Sequence, residues 1–467
     1  MSAPAASGSP AGAAAGLAPE TRAGPGGARA RGAGGTLIVN AVILPCTPTM
    51  PVIDRGWIHV RGDRIAGLGT GAAPEAAGAE VIDAGGDLVM PGMVNPHAHL
   101  PMTLFRGLGE DVDDRLIRYI LPLERRFVTA DTVAAGTALA AYETIRAGVT
   151  TVADMYYFET EVARVLDRAG IRALLGQTIA DFAPPDHATI DEGFDRLAAL
   201  AGACAGHPRL IASAAPHAPY STGPEVLARV ARDWAGPVQI HLAETRPEME
   251  WCGARGVTPP EMLARAGLLR PGLVAAHCMY VTEADIALMA GAGVGVAHNA
   301  RSNGKAGRGI APVLAMRAAG LPVGLATDGP MSGNTLDLFA QFAPASMFQK
   351  IAAGTRAALP AVEVIRMATL EGARVLGLDD RVGSLEEGKA ADLIRISLDA
   401  VRLHPVYDWY SMLVFAALPE DVHDVMVGGR WLMRGREVLT MERAKVMRDA
   451  LQVAARFKAE MARIDAG

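Results

Sequence analysis

Apolar positions in this chain fall into two regimes. Between Thr36 and Asp83 they come in short runs with period-two alternation: TLIVNAVILP at 36–45, then Gly56 to Leu68 broken by Gly62-Asp63-Arg64, then Val81-Ile82-Asp83. Alternation interrupted by a Gly-Asp turn predicts strands and a hairpin. No helical period intervenes, so these strands predict a small β-sandwich rather than the start of a doubly wound sheet. After His99 the pattern changes to apolar runs alternating with stretches of helical period. Strands are expected over 150–154, 172–178, 210–215, 238–240, 273–276, 294–297 and 322–327. Helices are expected over 133–147, 162–169, 224–234, 260–266, 283–291 and 312–319. With the strand ending in Val94-Asn95-Pro96-His97-Ala98-His99 there are eight strand-helix units, the number a closed (β/α)8 barrel of the TIM type requires.

The β regime returns at 383–394 and 422–433, so the sandwich is expected to be discontinuous, built from both ends of the chain. This divides the chain into a disordered tail (1–35), a first sandwich part (36–90), the barrel (91–380), a second sandwich part (381–440) and a C-terminal helix (441–467). In that helix Met447, Leu451, Ala454, Phe457, Met461 and Ile464 are spaced for one face, read as core or dimer packing.

Composition narrows the picture. Half of the 467 residues are hydrophobic, enough for a large core. The formal net charge of -6 mixes both signs, and nothing asks for nucleic acid or an anionic membrane surface. Four cysteines without CxxC spacing suit reduced, buried thiols and a cytoplasmic setting. No apolar run reaches the roughly 18 residues of a membrane span. The first 35 residues, rich in Ala, Gly and Pro, lack the apolar core of a secretory signal.

The candidate chemistry lies at the carboxyl ends of the barrel strands, where active sites on this fold sit. His97/His99, Asp154, Gln177, His217, His241, His277, His298 and Asp328 stand there. Histidine at five of eight strand ends exceeds what stability asks for. On a strand, residues i and i+2 point the same way, so His97 and His99 can face one point. Joined by His241 and Asp328, they make three imidazoles and a carboxylate, suited to one divalent metal with an open position for water. Zinc is the first expectation, with iron or manganese as alternatives. The fourth strand carries no lysine that could be carbamylated to bridge a second metal. Glu244 can move a proton between the attacking water and a substrate ring nitrogen, and His277 can hydrogen-bond the attacking oxygen. Asp328 can act as ligand and as proton shuttle. Plainer roles stand beside these: a helix cap for Glu244, and structural hydrogen bonding for His277 and His298.

The segments PGMVNPHAHLPMTLFRG, TTVADMYYF, APHAPYS, IHLAET, AAHCMYVTEADI, AHNARSN, GIAPV, LATDG and VGSLEEGKAADL resemble the amidohydrolase superfamily, closest to its cytosine deaminase-like branch of adenosine-type, triazine and guanine aminohydrolases. The resemblance spans residues 36 to 464. It implies one metal on His97, His99, His241 and Asp328, with Glu244 and His277 catalytic, in a hydrolytic deamination of an N-heterocycle that releases ammonia. It further implies Glu124 on the ribose hydroxyls and His217 on the base or sugar. Gln177 stands where members that take S-adenosylhomocysteine carry an arginine. The small-molecule substrate is therefore expected to be a neutral adenine nucleoside of the adenosine, 5'-deoxyadenosine or 5'-methylthioadenosine type. The alternatives are a triazine, pterin or guanine-type aminohydrolase or chlorohydrolase and, last, a non-catalytic scaffold. Relatives imply a homodimer or homotetramer.

Overall fold

A computed structural model describes residues 34–112, 114–182 and 184–466; the expected tail lies outside them except for Gly34 and Gly35. Eight parallel strands form the barrel: β6 (Met93–Ala98), β7 (Val149–Tyr156), β8 (Arg172–Ile179), β9 (Leu210–Pro216), β10 (Val238–Leu242), β11 (Leu273–His277), β12 (Gly295–His298) and β13 (Val323–Leu325). They follow one another in sequence order around the ring. Every residue of β7 and β8 is buried. Side chains fill the inside and helices cover the outside, which is why these strands read as continuous apolar runs. The join between β6 and β13 is made by polar groups. Asn95 Nδ2 donates to Thr327 Oγ1 (2.8 Å), Thr327 N–H to Asn95 Oδ1 (3.2 Å) and Asp328 N–H to His97 O (3.2 Å).

The second sheet takes strands from both ends of the chain, as expected. It comprises β1 (Thr36–Ile43), β2 (Ile53–Arg61), β3 (Arg64–Gly69), β4 (Glu80–Asp83), β5 (Leu88–Pro91), β14 (Leu393–Ile396), β15 (Val422–Val427), β16 (Arg430–Arg434) and β17 (Glu437–Val438). These strands belong to one nine-stranded hydrogen-bonded sheet, in which β5 pairs with β14 and so joins the two arms. Its own apolar cluster includes Ile38, Ile43, Ile58, Val89, Leu393 and Met426. A buried ion pair ties this sheet to the amino end of the barrel. Arg172, the first residue of β8, donates Nε and Nη2 to Asp392 at 2.9 and 3.1 Å and Nη1 to Pro208 O at 3.1 Å.

Several helices escaped the periodicity, among them Ile190–Cys204, Arg246–Gly253 and Phe339–Ala353. The last carries Pro344 inside it, a residue that argues against a helix on sequence grounds. The final helix, Arg443–Ala466, forms as expected; Phe457, Met461 and Ile464 of the expected stripe face the core, but its first half does not. Val446, Ala450, Val453 and Phe457 are buried, whereas Met447 and Leu451 are exposed. Phe457 packs on Phe105 and Phe127, ring centroids 4.8 and 5.7 Å apart, and this contact sets the rotation of the helix. No helix among the described residues is long and apolar enough to cross a membrane.

Candidate metal centre

Strand ends on one face of the barrel bring four of the expected groups together. His97 Nε2 and His99 Nε2 lie 3.8 and 3.3 Å from Asp328 Oδ1. His241 Nε2 lies 3.2 Å from His99 Nε2. Ligand atoms of His97, His99 and Asp328 fall within 4.8 Å of one another, as do those of His97, His241 and His277. The outer ring nitrogens are already engaged. His99 Nδ1 sits 2.5 Å from Met155 O, and His241 Nδ1 sits 2.9 Å from His217 O. A carbonyl only accepts, so each Nδ1 carries a hydrogen and each Nε2 is the nitrogen turned inward.

The donor set fits a cation. His97 Nε2 is buried without a hydrogen-bond partner among the described residues. Burial, with the neighbouring histidines, holds His97 and His241 well below the usual histidine range, as neutral imidazoles able to ligate. Burial alone would also lower His99, but the hydrogen bond and charge of Asp328 raise it to about 9. Burial pushes the Asp328 carboxyl up; the His99 hydrogen bond and the surrounding histidines outweigh it and hold it well below the carboxylate range. The pocket therefore favours positive charge beside an ionised Asp328. Ser302 Oγ donates to Asp328 Oδ2 at 2.5 Å, and Gly329 N–H to Oδ1 at 2.7 Å. Ala243, His277, Cys278 and Asp328 all take positive φ (49°, 73°, 49° and 61°), strained backbone that costs on the order of 1–3 kcal/mol per residue and clusters at functional sites.

Glu244 lies three residues beyond His241. The capping role belongs to its neighbour, since Thr245 accepts from Glu248 N–H at the start of Arg246–Gly253. The buried Glu248 carboxylate in turn accepts from Ala243 N–H and Glu244 N–H, both at 2.8 Å, which locks the backbone after β10. Burial pushes Glu248 up to about 7 against those two bonds. Glu244 Oε1 faces His277 Nε2 at 3.6 Å and is ion-paired with Arg308 Nη1. His277 Nδ1 lies 2.9 Å from Asn303 Oδ1, so Nε2 is the nitrogen turned toward the centre. His298 is buried with both ring nitrogens unpartnered among the described residues, and burial followed by His277 lowers it to about 4.

The expected substrate contacts lie apart in character. Glu124, in the helix Leu121–Phe127, is buried rather than on the surface; Tyr156 OH donates to its Oε1 at 2.7 Å. Burial raises it to about 7, opposed by Tyr156 and His99. His217 is half-buried, with its ring 4.9 Å from that of His241 and its Nδ1 2.7 Å from Ser221 Oγ. Gln177 is buried, and its Nε2 donates to Thr178 O (3.1 Å) and Asp186 Oδ2 (2.9 Å). Sequence reasoning passed over Arg308, Ser302, Asn303 and Tyr156. The first three follow β12 in a segment without hydrophobic period, and Tyr156 ends β7 two residues beyond Asp154.

An eight-stranded parallel barrel that gathers imidazoles and a carboxylate at the carboxyl ends of its strands is a barrel with a candidate metal site on the face where such folds carry their active sites. Residues 88–432 match the model of the amidohydrolase family, and the chain belongs to that family. It is 40% identical over 429 residues to the 5-methylthioadenosine/S-adenosylhomocysteine deaminase of Desulforudis audaxviator, covering 90% of this chain and 98% of that protein. The enzyme of the same name from Syntrophobacter fumaroxidans is 39% identical over 430 residues, with the same coverage. Among solved structures, an adenosine deaminase from Xanthomonas campestris with bound zinc superposes with a TM-score of 0.87 at 34% identity, covering 91% of this chain and 99% of that one. Atrazine chlorohydrolase from Arthrobacter aurescens, at 22% identity, TM-score 0.83 and 90% and 100% coverage, shares the fold.

Proposed function

We propose that this protein is a metal-dependent deaminase that replaces the exocyclic amine of an adenine nucleoside with oxygen and releases ammonia. The observation that carries the reading is the juxtaposition of Glu244 and His277 with the set His97, His99, His241 and Asp328. Those four residues hold one divalent metal, and zinc is favoured by the zinc bound to the adenosine deaminase at 34% identity. When bound, such an ion lowers the pKa of a water from 15.7 to roughly 7. Glu244 takes a proton from the attacking water and gives it to the ring nitrogen beside the reacting carbon. His277 Nε2 accepts a hydrogen bond from the same water. Asp328 takes the second proton from the hydroxyl now on the ring carbon and passes it to the amine, so that the oxygen stays as ring carbonyl and the amine departs as ammonia.

Glu124, held by Tyr156, accepts hydrogen bonds from the ribose hydroxyls, and His217 contacts the base or sugar beside it. Gln177 brings no charge to the wall behind them, which favours adenosine, 5'-deoxyadenosine or 5'-methylthioadenosine over a substrate with an amino-acid carboxylate. The relatives named above for methylthioadenosine and S-adenosylhomocysteine support the nucleoside class. The test is ammonia release by zinc-loaded protein from a panel of aminopurine nucleosides, pterins and triazines. Adenosine-type compounds are expected to react. Their failure, with turnover of a triazine or pterin, would overturn the proposal.

A further inference from the structure

The ion pair between Arg308 and Glu244 has no part in the chemistry above, yet it occupies one oxygen of the group that moves the proton. Arg308 sits between Gly307 (φ +64°) and Gly309 (φ +98°). A Cβ at either glycine would meet nothing within 4 Å, so glycine is needed there for backbone conformation rather than for space. Left-handed backbone on both sides of Arg308 accompanies the reach of its guanidinium to the Glu244 carboxylate. The backbone is pinned on both sides: Arg308 N–H donates to Asn303 O (3.1 Å), and Tyr280 OH donates to Arg308 O (3.2 Å). Asn303 is also the residue whose side chain holds His277 Nδ1. One asparagine thus sets both groups that face Glu244 Oε1.

We infer that Arg308 is a positioning residue, fixing Glu244 Oε1 and leaving Oε2 as the oxygen that receives and returns the proton. Oε2 takes no protein hydrogen bond among the described residues. A guanidinium suits this task because it stays protonated and never competes for the proton being moved. Its bond to a carboxylate is charge-assisted, and so it holds the group in one rotamer without a second partner.

This rests on Glu244 as the proton carrier, and its test separates the two claims. Arg308→Ala is expected to lower kcat on the order of 10–100-fold, the size of one hydrogen bond to a charged group, with metal content unchanged and KM moved far less. Arg308→Lys should recover part of the loss. In a Glu244→Gln background, Arg308→Ala should cost nothing further, because the group it positions no longer carries the proton. Near-normal kcat in Arg308→Ala, or losses that multiply in the double variant, would overturn the inference while leaving the deaminase reading intact. If the zinc-loaded wild type releases no ammonia from any aminopurine, the deaminase reading fails instead. The pairing is then judged by thermal melting of the same four proteins: non-additive shifts support it and additive shifts overturn it.

Discussion

The two ends of the barrel each bury a carboxylate among cationic or imidazole partners, and they handle it in opposite ways. At the amino end, Asp392 meets Arg172 in a two-point pair, and Gly428 N–H donates to Asp392 Oδ1 at 2.7 Å. Both side chains are more than nine-tenths buried and their polar atoms are matched. At the carboxyl end, Asp328 is equally buried, but the ring beside it, His97, keeps an Nε2 without a partner among the described residues, and two imidazole nitrogens face each other at 3.2 Å. A buried polar group without a partner is costly, so it persists where something else supplies the partner. Saturation at one end ties the second sheet to the barrel; unsaturation at the other suits a cation.

This contrast can be broken by substitution. Asp328→Asn removes the charge at the unsaturated end. Turnover is expected to fall more than about 10⁴-fold, since without the ion the pKa of water returns toward 15.7. Metal analysis and ammonia release together check this, and full occupancy with normal turnover would erase the distinction. Glu244→Gln should keep the metal yet lower kcat by about 10²–10⁴-fold. Asp392→Ala should act only at the saturated end, removing about 3–5 kcal/mol of stability by stranding the Arg172 charge. Denaturant unfolding measures that loss, while metal content and the kcat of the folded fraction should not move. The smallest effect is expected for Ser302→Ala, which deletes the donor to Asp328 Oδ2 and should weaken metal affinity or activity by about 10–100-fold.

The same contrast explains what the sequence made legible. Polar residues that terminate apolar runs stand out, and the barrel geometry places such residues on one face. His97, His99, His241 and Asp328, which the structure brings together, were therefore visible as strand ends, alongside Asp154, Gln177, His217, His277 and His298. Their supporting partners were not. Ser302, Asn303 and Arg308 lie in helix and loop after β12, and their roles depend on where the chain turns at Gly307 and Gly309, which period analysis does not see. Arg172 and Asp392 are 220 residues apart, one in the barrel and one beside β14, and nothing local links them. The register in the first half of the last helix was missed for a related reason. Several stripes on Arg443–Ala466 are apolar enough, and the aromatic contacts of Phe457 with Phe105 and Phe127 select among them.

The join between β6 and β13 gives the site a mechanical meaning. His97 and His99 stand on one side of it and Asp328 on the other, and the polar bonds of Asn95 and Thr327 lie directly beneath. An ion held by this set and His241 would act as a clasp on the ring, tying its first and last staves to each other and to β10. Occupancy then adds to the cohesion of the ring by mass action, about 2.7 kcal/mol at a hundredfold excess over the dissociation constant. Chelation should accordingly loosen the amides of 94–98, 238–242 and 323–328 to hydrogen exchange before those of β8 and β9, which carry none of the four groups.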